Sequence, residues 1–254
     1  MKHILHRVYA DYLMPSRLGE YESLLLAAKD AGYAQMSIRS FFRGTWAKRV
    51  LVHRHDIDSD VRTARKMFAI ECRHQVRASY YFRLSTLDVG FMRDIEAAGS
   101  EASYHYEEVA DFAKRRHMRD PDEVRRHFPR MRDEFALNVA RIVAALGRPL
   151  ATVASHGDFA NRKLNIINHE LLADVALRKR CGIECETYDE ALLSQFDMYI
   201  SDRKYPTYFK PMSPFDALGR HHRICLLTHP VQWETNWFDN TRCNLRRLSE
   251  GIRW

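Results

Sequence analysis

The sequence has few cysteines, and their placement excludes two kinds of stabilised site. The 254 residues include five cysteines, an odd number, and no two of them form a Cys-x-x-Cys pair. Disulfide-dependent extracellular domains and zinc knuckles need denser, regularly spaced cysteines. We therefore expect reduced thiols that pack in the interior, including Cys181 and Cys185, which can share one helix face.

Long apolar runs are also missing. Residues 1–11 lack the apolar core, about 7–15 residues long, of a secretory signal. No run approaches the roughly 18 apolar residues of a membrane span. The chain also has no repeat and no linker rich in Pro, Gly or Ser. We expect a cytoplasmic protein with one domain over 1–254, a length that suits an α/β barrel.

Positive charge is in excess, with 40 Lys and Arg against 33 Asp and Glu, a net charge of +7. This charge favours anionic neighbours in general, among them nucleic acid, acidic glycans and the phosphates of a lipid-linked sugar at a membrane surface. Many of the basic residues lie at 114–117 or on a predicted helix, where a solvated face explains them. Because no nucleic-acid recognition motif is present, we expect no nucleic-acid partner.

Helical and strand-like segments alternate along the chain. Apolar residues at steps of three and four between Asp120 and Leu146 predict one amphipathic helix, which begins at Asp120-Pro121 and closes at Gly147. A second helix is predicted over 61–72, and others at about 20–31, 106–116, 168–180 and 240–250. Strands are predicted at 49–52, 78–82, 102–104, 151–154, 198–200 and 224–227. The alternation predicts parallel β/α architecture, with residues 1–45 as a strand-helix cap.

Residues that can bind a metal or move a proton follow most of the predicted strands. They are Asp56 and Asp58 after 49–52, His105 after 102–104, residues 155–158 after 151–154, Asp202 after 198–200, and His229 after 224–227. The carboxyl ends of parallel strands meet at one rim, where active sites of such folds are built. We therefore expect these side chains to lie close together.

Asp56 and Asp58 flank Ile57, so in extended chain both carboxylates point to one side. Two carboxylates this close repel each other unless a cation or a proton lies between them. They could instead cap the helix predicted to begin near Val61. Capping needs only one of them and leaves His53 and His55 unexplained, so we favour a functional site.

Taken together, these residues resemble the polysaccharide deacetylase family (NodB homology, carbohydrate esterase family 4-like), which are metal-dependent enzymes with a distorted (β/α) barrel. The likeness extends over roughly residues 48–235 and is strong at short motifs. These motifs are residues 55–58, 99–105, 155–157 and 226–229. More narrowly, the chain resembles deacetylase-like proteins of lipopolysaccharide O-antigen synthesis.

The resemblance implies roles for particular residues. It implies Asp56 as catalytic base, Asp58 and His105 as ligands of a divalent metal, zinc first, and His229 as general acid. The second metal histidine of the family falls where this sequence has Val109, so the third ligand has to come from elsewhere. We expect His156 first and Glu107 second, because imidazole suits zinc.

Four further residues complete the predicted site. Asp202 is expected to orient His229. Arg83 is expected to bind the substrate and to supply the cationic contact to Asp56 that an arginine of the third motif gives in the family. Trp233 and Trp237 are candidates for stacking on a sugar ring. The predicted reaction is removal of an N-acetyl or other acyl group from a nucleotide- or lipid-linked sugar. The alternative is a glycan-binding relative that has lost catalysis.

Overall fold

A computed structural model describes residues 2–46 and 49–254, which are organised around a sheet of nine strands. The strands are β1 (Ala34–Met36), β2 (Val50–Ile57), β3 (Ser79–Phe82), β4 (Glu101–Tyr106), β5 (Thr152–Ser155), β6 (Cys185–Glu186), β7 (Met198–Asp202), β8 (Phe209–Lys210) and β9 (Arg223–Thr228). Their order is β6-β5-β4-β3-β2-β9-β7-β8, and β1 pairs with the first half of β2.

Helices connect most of the strands. They are α1 (Lys2–Val8), α2 (Leu18–Asp30), α3 (Ile38–Arg43), α4 (Val61–His74), α5 (Val89–Ala97), α6 (Glu108–Arg116), α7 (Pro121–Arg126), α8 (Phe128–Leu146), α9 (Phe159–Leu164), α10 (Val175–Cys181), α11 (Glu190–Leu193), α12 (Pro214–Ala217) and α13 (Trp237–Arg253). A π-helical turn spans Tyr9–Leu13, and 3-10 turns span Asn168–Ala173 and Pro230–Gln232. Within the described ranges, no helix is both long and apolar enough to cross a membrane.

The predicted α/β architecture is confirmed, whereas a complete barrel is not formed by the described strands. Every pairing is parallel except that of β7 with β8, which is antiparallel. The end strands β6 and β8 have two residues each and do not pair with one another. The result is an open, curled sheet, a half-barrel whose carboxyl-terminal strand ends share one rim.

Strand β2 is longer than predicted and continues through a polar stretch to Ile57. All eight of its residues are buried, although His53, Arg54, His55 and Asp56 are polar. Polar side chains are tolerated in a central strand when each finds a partner. Arg54 pairs with Asp56 on one face of the sheet and His55 with Glu71 on the other.

The single helix predicted between Asp120 and Leu146 is two helices, so that prediction was wrong. Helix α7 ends at Arg126 and α8 begins at Phe128, with His127 between them. Pro129 lies in the first turn of α8, where its missing N–H costs nothing; inside a continuous helix it would remove a hydrogen bond. The ends were predicted correctly, because Asp120 caps α7 and Gly147 follows α8 with a φ of +79°.

Candidate metal centre

The rim of the sheet gathers the polar residues predicted from the strand ends. Asp56 is the penultimate residue of β2, and Asp58 comes directly after the strand. His105 lies in β4, and His156 comes directly after β5. Helix α4 is capped by a different carboxylate, since Asp60 accepts a hydrogen bond from the Thr63 backbone N–H. Asp58 is therefore not needed as a helix cap.

Asp58, His105 and His156 meet at one point. Asp58 Oδ1 lies 3.3 Å from His105 Nε2 and 3.4 Å from His156 Nε2. One ligand atom from each residue lies within 4.8 Å of the other two. Both imidazoles are buried and Asp58 is partly buried. One carboxylate oxygen and two ring nitrogens are a donor set that suits zinc.

The hydrogen bonds around these side chains leave a carboxylate oxygen of Asp58 facing a ring nitrogen of His105, and both are acceptors. His105 Nδ1 lies 3.0 Å from the Ala154 carbonyl oxygen, so Nδ1 carries the proton and Nε2 presents its lone pair to Asp58. Asp58 Oδ1 is buried and has no hydrogen-bond partner. A buried carboxylate oxygen facing an imidazole lone pair is costly unless a cation lies between them. The residues present therefore fit a divalent ion.

Asp56 is held by Arg54, a residue that the sequence reasoning missed. Arg54 Nε and Nη2 donate to the two carboxylate oxygens of Asp56 at 2.9 and 2.8 Å, and both side chains are buried. Burial opposes ionisation of Asp56, but the Arg54 guanidinium outweighs it and lowers the pKa of Asp56. Asp56 Oδ2 lies 3.5 Å from His105 Nε2. Asp56 is thus a carboxylate beside the candidate ligands.

The predicted contact between Arg83 and Asp56 is wrong. Arg83 instead pairs with Glu107, with Nε donating to Oε1 at 2.9 Å. Glu107 Oε2 lies 3.5 Å from His156 Nδ1, outside the group formed by Asp58, His105 and His156. Of the two candidates for a third ligand, the structure brings His156 to Asp58 and engages Glu107 with an arginine.

His229 follows β9 and sits against the end of β7. Its Nδ1 lies 2.7 Å from Asp202 Oδ1, and its backbone N–H donates to Asp202 Oδ2 at 2.7 Å. Burial disfavours the charged imidazole, but the carboxylate of Asp202 outweighs this and raises the pKa of His229 to about 9. Asp202 therefore fixes both the ring orientation of His229 and its protonated form at neutral pH.

Trp233 cannot stack on a sugar, which corrects the prediction. Its side chain is 0% exposed, and its indole N–H donates to Asp202 Oδ2 at 3.1 Å. It packs beneath the site as a support for Asp202. Trp237, in contrast, is 68% exposed on α13.

Two residues of the motifs lie away from the candidate site. His55 points to the opposite face of the sheet, where its Nε2 lies 2.6 Å from Glu71 Oε1. Val109 is 0% exposed in an apolar cluster with Phe112 and Leu164. A side chain four residues after His105 is therefore a packing residue in this protein.

A cleft of about 490 Å³ opens from the site. Asp58, Arg83 and His156 line it, together with residues of α9 and α13, among them Arg162 and Arg247. Its size suits a small ligand such as a sugar.

No family model matches the sequence, and no curated protein matches it significantly. Among solved structures, the deacetylase PplD of Streptococcus pyogenes in complex with acetate is similar at a TM-score of 0.39 and 14% identity, over 58% of this chain and 68% of that one. BA3943 of Bacillus anthracis, a CE4 family pseudoenzyme, is similar at a TM-score of 0.43 and 14% identity, over 81% of this chain and 63% of that one. A BA3943 mutant with restored enzymatic activity is similar at a TM-score of 0.43 and 14% identity, over 81% and 65% of the two chains. Likenesses at this level assign neither a family nor an activity to the chain.

Proposed function

We propose that this protein is a metal-dependent hydrolase that removes an N-acetyl or other acyl group from a sugar. The observation that carries the proposal is the buried Asp58 Oδ1, which lacks a hydrogen-bond partner and faces two imidazole nitrogens. Asp58, His105 and His156 would hold the ion, zinc first. Bound there, a divalent ion supplies Lewis-acid chemistry, lowering the pKa of water and polarising an acyl oxygen.

Asp56 is the proposed general base. Arg54 keeps its carboxylate ionised, and Asp56 Oδ2 lies 3.5 Å from His105 Nε2, one of the proposed ligands. Asp58 is engaged as a ligand, so Asp56 is the group that takes the proton when water adds to the acyl carbon.

His229 is the proposed general acid. Its Nδ1–H donates to Asp202, which leaves Nε2 to give a proton to the leaving amine. Its raised pKa, about 9, keeps the imidazolium populated at neutral pH. Arg83, which we had expected at the substrate, also lines the cleft and remains a candidate for substrate contact.

The acylated sugar, nucleotide- or lipid-linked, and a role in surface-polysaccharide or O-antigen synthesis rest on the motif resemblance alone. The residues of the site support hydrolytic chemistry and do not select a particular sugar. A panel of N-acetylated sugars, free, nucleotide-linked and polymeric, assayed for released acetate would identify the substrate.

Metal analysis tests the site directly. We expect one equivalent of zinc to bind the wild type, little to bind the His156→Ala variant, and unchanged binding in the matched Glu107→Ala variant. Loss of zinc in Glu107→Ala with retention in His156→Ala would reverse the ligand assignment. An Asp56→Asn variant should keep the metal and lose turnover; an active Asp56→Asn enzyme would refute Asp56 as the base.

Val109 favours one alternative, a glycan-binding relative that lost catalysis with its second histidine. In that case the purified protein holds no metal and gains none on titration with zinc. Binding of N-acetylated oligosaccharides without release of acetate would then establish the binding function.

A further inference from the structure

Helix α13 exposes an apolar stripe and buries polar side chains, the reverse of an ordinary surface helix. Trp237, Leu245, Leu248 and Ile252 fall on one stripe at helical spacing, and each is 62–76% exposed. The buried side of the helix is polar, since the Asn240 amide is 4% exposed and donates to the Asp11 carbonyl oxygen at 2.7 Å. A surface helix normally buries its apolar stripe and exposes its polar one.

The N-terminal segment extends this apolar surface. It packs on α13 through Arg7, whose Nη2 donates to Asn244 Oδ1 at 2.7 Å, and through Asp11, whose Oδ2 accepts from Asn244 Nδ2 at 3.1 Å. Its own large apolar side chains, Ile4 and Leu5, are also more than 60% exposed. More than half of the exposed large apolar side chains in the described part of the chain lie on these two segments, 2–13 and 237–254. We call them together the terminal face.

Two basic residues of the terminal face have no partner. Among the described residues of this face away from the cleft, Lys2 and Arg242 make no ion pair or side-chain hydrogen bond. The acidic side chains of the terminal face are all engaged, and they are Asp11, with Arg7 and Lys204, Asp239, with Asn236, and Glu250, with Lys114 and Arg246. The two segments hold six Lys and Arg against three Asp and Glu, so the net charge of the face is positive.

We propose that the terminal face docks on an anionic lipid surface, with the stripe of α13 inserted at the boundary between headgroups and acyl chains. A helix with a wide apolar stripe, a tryptophan and flanking arginines has the composition of an interfacial helix. Lys2 and Arg242 complement anionic headgroups, and each basic residue near such a surface adds to the attraction. Against a second protein chain, the same unpaired cations would need matching acids that this chain does not expose there.

Docking places the cleft next to the lipid. Cys243, Arg247 and Glu250 line the cleft from the side of α13 away from the stripe, so the helix lies between the lipid surface and the cleft that reaches Asp58. The docking does not depend on the proposed hydrolysis, because it is a property of the terminal face alone.

Co-sedimentation with vesicles tests the proposal. We expect the wild type to sediment with vesicles of phosphatidylcholine and phosphatidylglycerol, to bind phosphatidylcholine alone much more weakly, and to release as salt is raised. The Leu245→Glu/Leu248→Glu variant should bind at least about tenfold more weakly, since two inserted side chains become charged. The Lys2→Glu/Arg242→Glu variant, which keeps the stripe, should also lose its preference for the anionic vesicles.

The matched control is Leu137→Glu/Val175→Glu, which changes two equally exposed apolar residues, on α8 and α10, away from the terminal face. It should bind vesicles as the wild type does. Absence of wild-type binding, or equal loss in the control, would overturn the proposal. So would a wild-type dimer that does not bind vesicles and becomes a monomer in Leu245→Glu/Leu248→Glu, since the face would then join two copies of the chain.

Discussion

Both faces of the sheet at strand β2 bring histidines close to a carboxylate. The carboxylate oxygens all have hydrogen-bond partners on one face, and one of them lacks a partner on the other. On one face, Glu71 accepts hydrogen bonds from Tyr21 and Tyr80 and contacts His55, so every oxygen has a partner. On the other, Asp58 Oδ1 is buried without one. Histidines beside a carboxylate therefore do not identify a metal site by themselves; the unsatisfied oxygen of Asp58 is the observation that supports the proposed one.

The sharpest test of this comparison removes one carboxylate charge on each face. Asp58→Asn should lower zinc affinity by at least about 100-fold, since changes to groups that only support a ligand already cost 10–100-fold. The matched Glu71→Gln variant should bind zinc as the wild type does. Titration of both variants with zinc measures the affinity. Equal losses of affinity in the two variants would show that the two faces do not differ in metal binding.

The free energy of unfolding should depend mainly on the face with Glu71, where every carboxylate oxygen has a hydrogen-bond partner. Glu71→Ala leaves His55 and two tyrosine hydroxyls without their shared partner in the core, so we expect a loss of about 3–5 kcal/mol in the free energy of unfolding. Asp58→Asn in the metal-free protein should change it by less than about 1 kcal/mol, because Oδ1 has no hydrogen bond to lose. Urea unfolding of both variants without metal compares them; a larger loss in Asp58→Asn would contradict our account.

Glu108 extends the comparison to a buried carboxyl with neutral partners. Burial raises its pKa from 4.5 to about 7, and the hydrogen bonds with Tyr104 and Asn138 offset only part of that. The folded chain therefore holds a proton that the unfolded chain releases between these values. Stability from this proton is complete below pH 4.5 and is lost as pH rises through 7, by up to about 3 kcal/mol.

Glu108→Gln keeps a neutral hydrogen-bonding group in the same place. We expect the urea midpoint of the variant to be the same at pH 6 and pH 8. The pH dependence due to other groups is removed by subtracting the change in midpoint of an Asp122→Asn control, which alters an exposed carboxylate. A wild-type protein whose stability is unchanged over this interval would show that Glu108 is ionised in the folded chain.

The smallest effect concerns Trp233. Trp233→Phe removes the single hydrogen bond from the indole to Asp202 and should cost about 1 kcal/mol of stability. It should also lower the pKa of His229 little, because the contact between Asp202 and His229 remains. NMR titration of the His229 ring follows this, and a large fall in its pKa would mean that Trp233 positions Asp202.

Much of the rim could be predicted from the sequence, because strand ends and polar residues are local signals. Asp58, His105 and His156 were placed by their positions after apolar runs, and they meet in the structure. Arg54 was missed since it stands inside a strand that the apolar run at 49–52 did not reveal. Its position two residues before Asp56, on the same face, was the available signal.

Other features depend on tertiary packing that no local pattern contains. The burial of Trp233 follows from its contacts with Tyr21 and Phe209, which come from distant segments. The sequence does not decide whether Arg83 pairs with Glu107 or with Asp56, and in the folded chain the partner is Glu107. The open sheet depends on the short end strands β6 and β8, which no apolar run marks.

Arg54 and Asp56 belong to one strand, so their separation is set by the backbone repeat rather than by how distant loops come together. The base and its counter-ion therefore form a unit that moves as one piece. Rim loops can change in length or sequence to admit new substrates while the charge of Asp56 stays fixed. For the proposed hydrolase, this arrangement predicts that changes in the rim loops alter acyl-group specificity without loss of the base.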